Sequence, residues 1–236
     1  MQWFVIITGD RSDLEDLCKY FNSPELFITQ QGQDFILEST DFNSLIDADE
    51  VKNKASEIIL LINGAASIVK EMKKSLAVDC VVKGTDDGKR KFFIFPNAVA
   101  IGFSAGNPVV GIDGIVQQVS QPEPILSWVV AARQDPNVAK ALRLFGAGTH
   151  DWVNLYRIYE VIENDVGSIS NIVKKGWATR KAIERFKHTA NSPGAIGDES
   201  RHGKQASKPP KAPMTLSEAK SLVETILHNW LRMKGE

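Results

Sequence analysis

VSQPEPILSWVV, residues 119–130, is where the chain changes character. Pro122 and Pro124 offer no amide donor to a central strand and restrict the residues before them. The strand signals that fill the chain up to about residue 121 therefore stop there, and the residues beyond read as helix. This one stretch sets the expected class: α+β, with a mixed domain of strands and helices at 1–121 and an all-α helical bundle at 122–236.

Upstream of the break the patterns alternate quickly. Apolar runs at 98–103 and 109–119 precede it, and before them 76–83 and 91–95 read as strands joined around Asp87-Gly88, a turn dipeptide. Residues 26–31 and 34–38 flank Gly32 as a hairpin, and 2–8 is a short apolar run at the start. Two helices interrupt the strands. Ser12-Asp-Leu-Glu15 has the form of a capping box opening a helix to about Tyr20. A longer amphipathic helix carries Val51, Ala55, Ile58, Ile59 and Ile62 on one stripe.

Downstream, residues 151–165 place Trp152, Leu155, Tyr159 and Ile162 at helical spacing. Thr215-x-x-Glu218 is a second capping box, followed by Leu216, Ala219, Val223, Ile226 and Trp230 in a three-four rhythm to about Arg232. Between these helices, 205–213 is rich in Lys, Ser and Pro and reads as an extended surface connection.

The whole chain has 236 residues, 43% of them apolar and 24% charged, which is enough apolar content to bury a core. No apolar run approaches the length of a membrane span, and the N-terminus lacks the basic region and cleavage site of a signal peptide. These features point to a cytoplasmic protein with no membrane partner. Cys18 and Cys80 stand too far apart in sequence, and too far from any histidine, for a metal or disulfide framework, and read as buried thiols. Net charge is only −1, but residues 174–211 hold ten basic against three acidic side chains. A +7 segment in a chain whose remainder is −8 suggests an acidic partner, most simply nucleic acid. A solvated helix face followed by a solvated linker accounts for the same count.

The chemistry-bearing stretch is RFKHTANSPGAIGDESRHG, residues 185–203. Arginine can grip a phosphate bidentately, and histidine can move a proton near neutral pH. Arg185, His188, Arg201 and His202 are thus the candidate catalytic set, and Lys174, Lys175, Arg180, Lys181 and Lys187 the candidate nucleic-acid contacts. The opposing reading pairs Arg201 with Asp198 or Glu199 and makes the loop structural. His150 and His228 read as a loop and a surface residue. HExxH is absent and no carboxylate or cysteine stands at ligand spacing, so neither a metal nor another cofactor is expected. The glycines of 102–114 match no phosphate-loop pattern and read as an irregular hairpin. Residues 169–186 have a loose helix-turn-helix look with Gly176 at the turn, which keeps a DNA-binding reading open.

The element order DWVNLYRIYEVIE, an Arg-Phe-Lys-His helix running into a polar loop ending in RHG, a proline-containing link and MTLSEAKSLVETILHNWL resembles the HEPN superfamily, within it the Apea-like group of bacterial proteins. The resemblance spans about 135–234. It implies a helical bundle, often a homodimer, acting on RNA in toxin–antitoxin or phage-defence settings, either as a metal-independent endoribonuclease or as an inactive relative. Active members separate their arginine and histidine by four to six residues, whereas Arg185 and His188 have two between them and Arg201 and His202 have none. If the chemistry holds, Arg201 would orient the scissile phosphate and His202 or His188 would act as acid or base on a ribose 2′-hydroxyl. A non-catalytic interaction or sensor module is the alternative reading.

Overall fold

The computed structural model describes residues 2–70, 72–85, 89–95, 124–148, 150–204 and 208–235. The runs at 98–103 and 109–119, the Asp87-Gly88 turn and the glycine-rich stretch 102–114 lie outside the described residues. The class is α+β: among the described residues, a six-stranded antiparallel sheet towards the N-terminus and a helical C-terminal half.

The sheet has the order β2-β3-β4-β1-β5-β6, from β1 (Trp3–Thr8), β2 (Asn22–Ser23), β3 (Leu26–Gln31), β4 (Asp34–Ser39), β5 (Ala77–Gly84) and β6 (Arg90–Ile94). The first strand is central because its alternating residues find apolar partners on both sides, with Val5 facing Leu37 on β4 and Val81 on β5. Trp3, Val5 and Ile7 are buried, as a period of two requires of a half-buried strand. The expected hairpin around Gly32 forms, and that glycine sits at φ +63°, where a Cβ would be strained.

Helix α1 (Arg11–Tyr20) begins earlier than the Ser12 box predicts. Asp10 is the cap: its carboxylate accepts the amides of Ser12 at 2.9 Å and Asp13 at 3.3 Å. A carboxylate two residues upstream satisfies the orphan donors that the serine would have taken.

Helix α2 (Ala48–Val69) is capped by Asp47 and buries its expected stripe of Val51, Ala55, Ile58, Ile59 and Ile62. It packs on the sheet and also on α3 (Ile125–Gln134) and α4 (Pro136–Gly146), so one apolar core runs from the sheet into the helices. The α2–α4 contact is backbone to backbone. A Cβ on Gly64 would overlap the Leu142 carbonyl, and one on Gly146 would overlap the Leu60 carbonyl.

Helix α5 (Trp152–Val166) buries Trp152, Leu155, Tyr159 and Ile162 as its spacing predicts, and Gly167 ends it at φ +90°. Three shorter helices follow, α6 (Ile169–Lys174), α7 (Arg180–Ala190) and α8 (Pro193–Ile196), and then α9 (Leu216–Gly235). The Thr215 box closes α9 reciprocally: Thr215 Oγ1 accepts from the Glu218 amide and Glu218 Oε2 accepts from the Thr215 amide. Ala219, Val223, Ile226 and Trp230 are buried, but Leu216, the first residue of the helix, is exposed. At the other end Lys234 bridges Asp135, which caps α4, to Asp165 near the end of α5. Trp230 Nε1 donates to the same Asp165 at 2.8 Å. This network fixes the C-terminus of α9 against the bundle.

Candidate nucleic-acid interface

Between α6 and α7 the chain makes a tight turn. Ser168 caps α6 through the Asn171 amide, Gly176 supplies φ +74°, and Thr179 caps α7 through the Ala182 amide. Ile172, Ile183 and Phe186 point inwards and are fully buried, which turns the intervening polar residues outwards. Lys174, Lys175, Arg180 and Lys181 are all exposed on this turn. Arg180 bonds Ser170 Oγ at 2.8 Å and stands 3.7 Å from Glu184, while Lys175 lies 5.4 Å from the centre of the Trp177 ring. Lys174 and Lys181 have no acidic partner among the described residues.

The 185–203 region is arranged differently. The loop does fold back on α7, where the Arg201 amide donates to the Ala190 carbonyl at 2.9 Å. The side chains then diverge. Arg185 makes two bonds of 3.1 Å to Glu218 of α9 and donates to the carbonyls of Ala212 at 2.9 Å and Pro213 at 2.8 Å. One turn along, His188 Nε2 donates to the Lys208 carbonyl at 2.8 Å. Thr189 Oγ1 accepts from the amide of the buried Met214. One face of α7 is thus taken up by the extended segment 208–214.

Arg201 turns towards α5 instead. Its guanidinium lies 4.4 Å from the centre of the Tyr156 ring and 3.0 Å from Glu160 Oε1. Lys187, turned roughly 200° from Arg185 at about 100° per helical residue, joins it on that side and bonds Glu163 at 3.0 Å. The expected Arg201 partners, Asp198 and Glu199, are therefore replaced by a residue on a distant helix. His202 is exposed, with its backbone tied to Ser200 Oγ. The two arginines face different carboxylates on different helices, so Arg185 and Arg201 do not converge on one phosphate.

Electrostatics agree with this geometry. The concavity beside Lys187 and Arg201, about 680 Å³ between α5 and α6, is walled by Glu160 and Glu163, whose charges those two cations already meet, so neither cation is left over for a phosphate. Burial, followed by Glu163, pushes the Tyr159 phenol up, so it stays neutral there. Glu218 is held below the usual carboxylate range by the Thr215 amide and then by Arg185. The histidines read as bystanders are partly built in. His150 donates to the Phe145 carbonyl with burial lowering its pKa. His228 stands edge-on to Trp128 and is lowered by burial and then by Arg232. Among the described residues no group of three or more histidine, cysteine or acidic side chains could hold a metal ion, and no helix is long and apolar enough to cross a membrane.

Trp177 lies in the turn beside Gly176, half-buried against the core. No family model, curated protein or solved structure matches the chain. The HEPN resemblance rests on element order and the residues quoted for it.

Proposed function

We propose that this protein is a nucleic-acid-binding module that holds single-stranded RNA on the turn between α6 and α7 without cleaving it. The observation that carries the reading is the contrast in charge pairing. Arg185, Lys187 and Arg201 each have a carboxylate partner, whereas Lys174 and Lys181 have none among the described residues. Unneutralised lysines release counterions when they meet phosphates, and Trp177 between them is half-buried against the core with the Lys175 ammonium over its ring, which leaves the lysines as the phosphate contacts. A catalytic role asks for an arginine free to grip phosphate beside a histidine free to move its proton. Here the arginines are engaged elsewhere. The HEPN resemblance then belongs with its inactive, RNA-holding members, and a homodimer mate remains part of that proposal.

The α6–Gly176–α7 arrangement favours a second reading, DNA binding by a helix-turn-helix. Against it stands the segment 208–214, which lies along α7 through Arg185 and His188 and blocks that face from a major groove. Fluorescence anisotropy separates the two. A labelled uridine oligomer should bind with an affinity that falls as salt rises, and Lys174→Gln/Lys175→Gln/Lys181→Gln should reduce the log–log slope by about 2, at about 0.7 per lost contact. Duplex DNA should bind more weakly. Absence of RNA binding at low salt removes the reading, and preference for duplex DNA replaces it by the second.

A further inference from the structure

We propose that the β5–β6 end of the sheet, on the face that carries Trp3, binds a linear chain of phosphates through Lys83, Lys91 and Lys52. In the antiparallel register Trp3 faces Lys83 and Lys83 faces Lys91, so the two lysines are direct cross-strand neighbours on one face. Like charges placed in that way destabilise a sheet, and an anion seated between them turns the repulsion into two attractions. None of the three lysines has a carboxylate partner among the described residues, whereas Lys54, two residues along α2 from Lys52, is met by Glu57 at 2.9 Å.

The ammoniums are held by aromatic rings. Trp3 is buried, its Nε1 donates to the Leu45 carbonyl at 3.1 Å, and its ring centre lies 5.7 Å from that of Phe93. Lys83 Nζ stands 4.4 Å from the centre of the Trp3 ring, Lys91 Nζ 5.0 Å from that of Phe93 and Lys52 Nζ 4.3 Å from that of Phe95. Attraction to the ring faces orders long side chains that water would otherwise leave free, which lowers the cost of ordering them around a ligand. With lysines over the rings, recognition runs through charge and not through base stacking, and an ammonium is a compact point charge suited to phosphate. The rings form a row: Phe95 follows Phe93 by two residues, about 7 Å at roughly 3.3 Å per residue. Cations spread over successive rings match a chain of phosphates better than a single one. These residues lie outside α6 and α7, so the site stands or falls independently of the RNA reading.

Isothermal titration of the full chain with inorganic tripolyphosphate at low salt tests the assignment. Lys83→Gln/Lys91→Gln should weaken binding by about tenfold or more, at the strength of charged hydrogen bonds, and Lys174→Gln/Lys175→Gln/Lys181→Gln by less than about twofold. Tripolyphosphate should also raise the melting temperature of the wild type and not that of the double variant. If the double variant shows no melting transition, Lys91→Gln alone decides, with a loss of about threefold or more expected. A uridine oligomer titrated against the same variant separates the two sources of such a chain: unchanged affinity assigns the site to a free polyphosphate, and a clear loss assigns it to a nucleic-acid backbone. Absence of tripolyphosphate binding, wild-type affinity in the variant, or an equal loss in the variant of the α6–α7 turn would each overturn the proposal.

Discussion

The turn between α6 and α7 and the loop after α7 carry the same kinds of side chain, yet the fold uses them in opposite ways. Around the loop each arginine, and Lys187 beside them, is answered by a carboxylate 24 to 41 residues away in sequence: Glu163 for Lys187, Glu218 for Arg185, Glu160 for Arg201. On the turn, Lys174 and Lys181 are answered by none among the described residues. A segment with +7 of formal charge is therefore not a uniformly cationic surface. Part of that charge is used within the fold, tying α7 to α9 and the loop to α5, and only the remainder is presented to a partner.

The contrast can be broken most severely through α9, because that helix supplies Glu218. Trp230 is fully buried and also bonds Asp165, so Trp230→Ala should cost about 3–5 kcal/mol. Denaturant melts check this, and a near-neutral result would mean that α9 is not packed into the bundle as described. A smaller effect is expected at the ion pair itself. Arg185→Ala removes two charged bonds and leaves the carbonyls of residues 212 and 213 without their donor. With the side chain about one-third exposed, solvent screening reduces the cost to about 1–2 kcal/mol. RNA affinity should not change, and a large loss of affinity would move the binding surface to the loop.

Acid should weaken the same tie by protonation. Glu218 has its pKa lowered in the folded state, so its contribution is fully present above the ordinary glutamate value of 4.5 and is lost as pH falls through the folded value. Melts of the wild type and Glu218→Gln should run parallel above about pH 4.5 and converge below it, and a constant gap would mean that the carboxylate's charge plays no part. The smallest effect belongs to His202. Its side chain is exposed, so His202→Ala should change stability by less than about 0.5 kcal/mol and leave RNA binding intact. A variant that instead lost an RNA-cleaving activity present in the wild type would restore the catalytic reading.

How much of the molecule is legible in the residues alone depends on the range of the interactions. The α+β class, the Gly32 hairpin, the buried stripes of α2 and α5 and the reciprocal cap of α9 depend on neighbours within a few positions, and period and capping chemistry report these directly. Two local errors have local causes. Asp10 outcompetes Ser12 as the cap of α1, and Leu216, the first residue of α9, is exposed although it keeps the spacing of the buried stripe. The site was less legible because its electrostatics are long-range. Nothing around Arg201 in sequence signals that Glu160 and Tyr156 will receive its guanidinium in place of the nearby Asp198 or Glu199. Similarly, the row of rings that gathers Lys52, Lys83 and Lys91 draws them from one helix and two strands.

Hydrogen exchange of the full chain with and without a saturating uridine oligomer reports both regions in one experiment, and so decides between the lysine turn and the arginine–histidine loop. Added protection is expected for amides in 174–181, with amides in 197–203 exchanging as in the free protein. Protection confined to 197–203, with 174–181 unchanged, would contradict this and place the nucleic acid at the arginine–histidine loop.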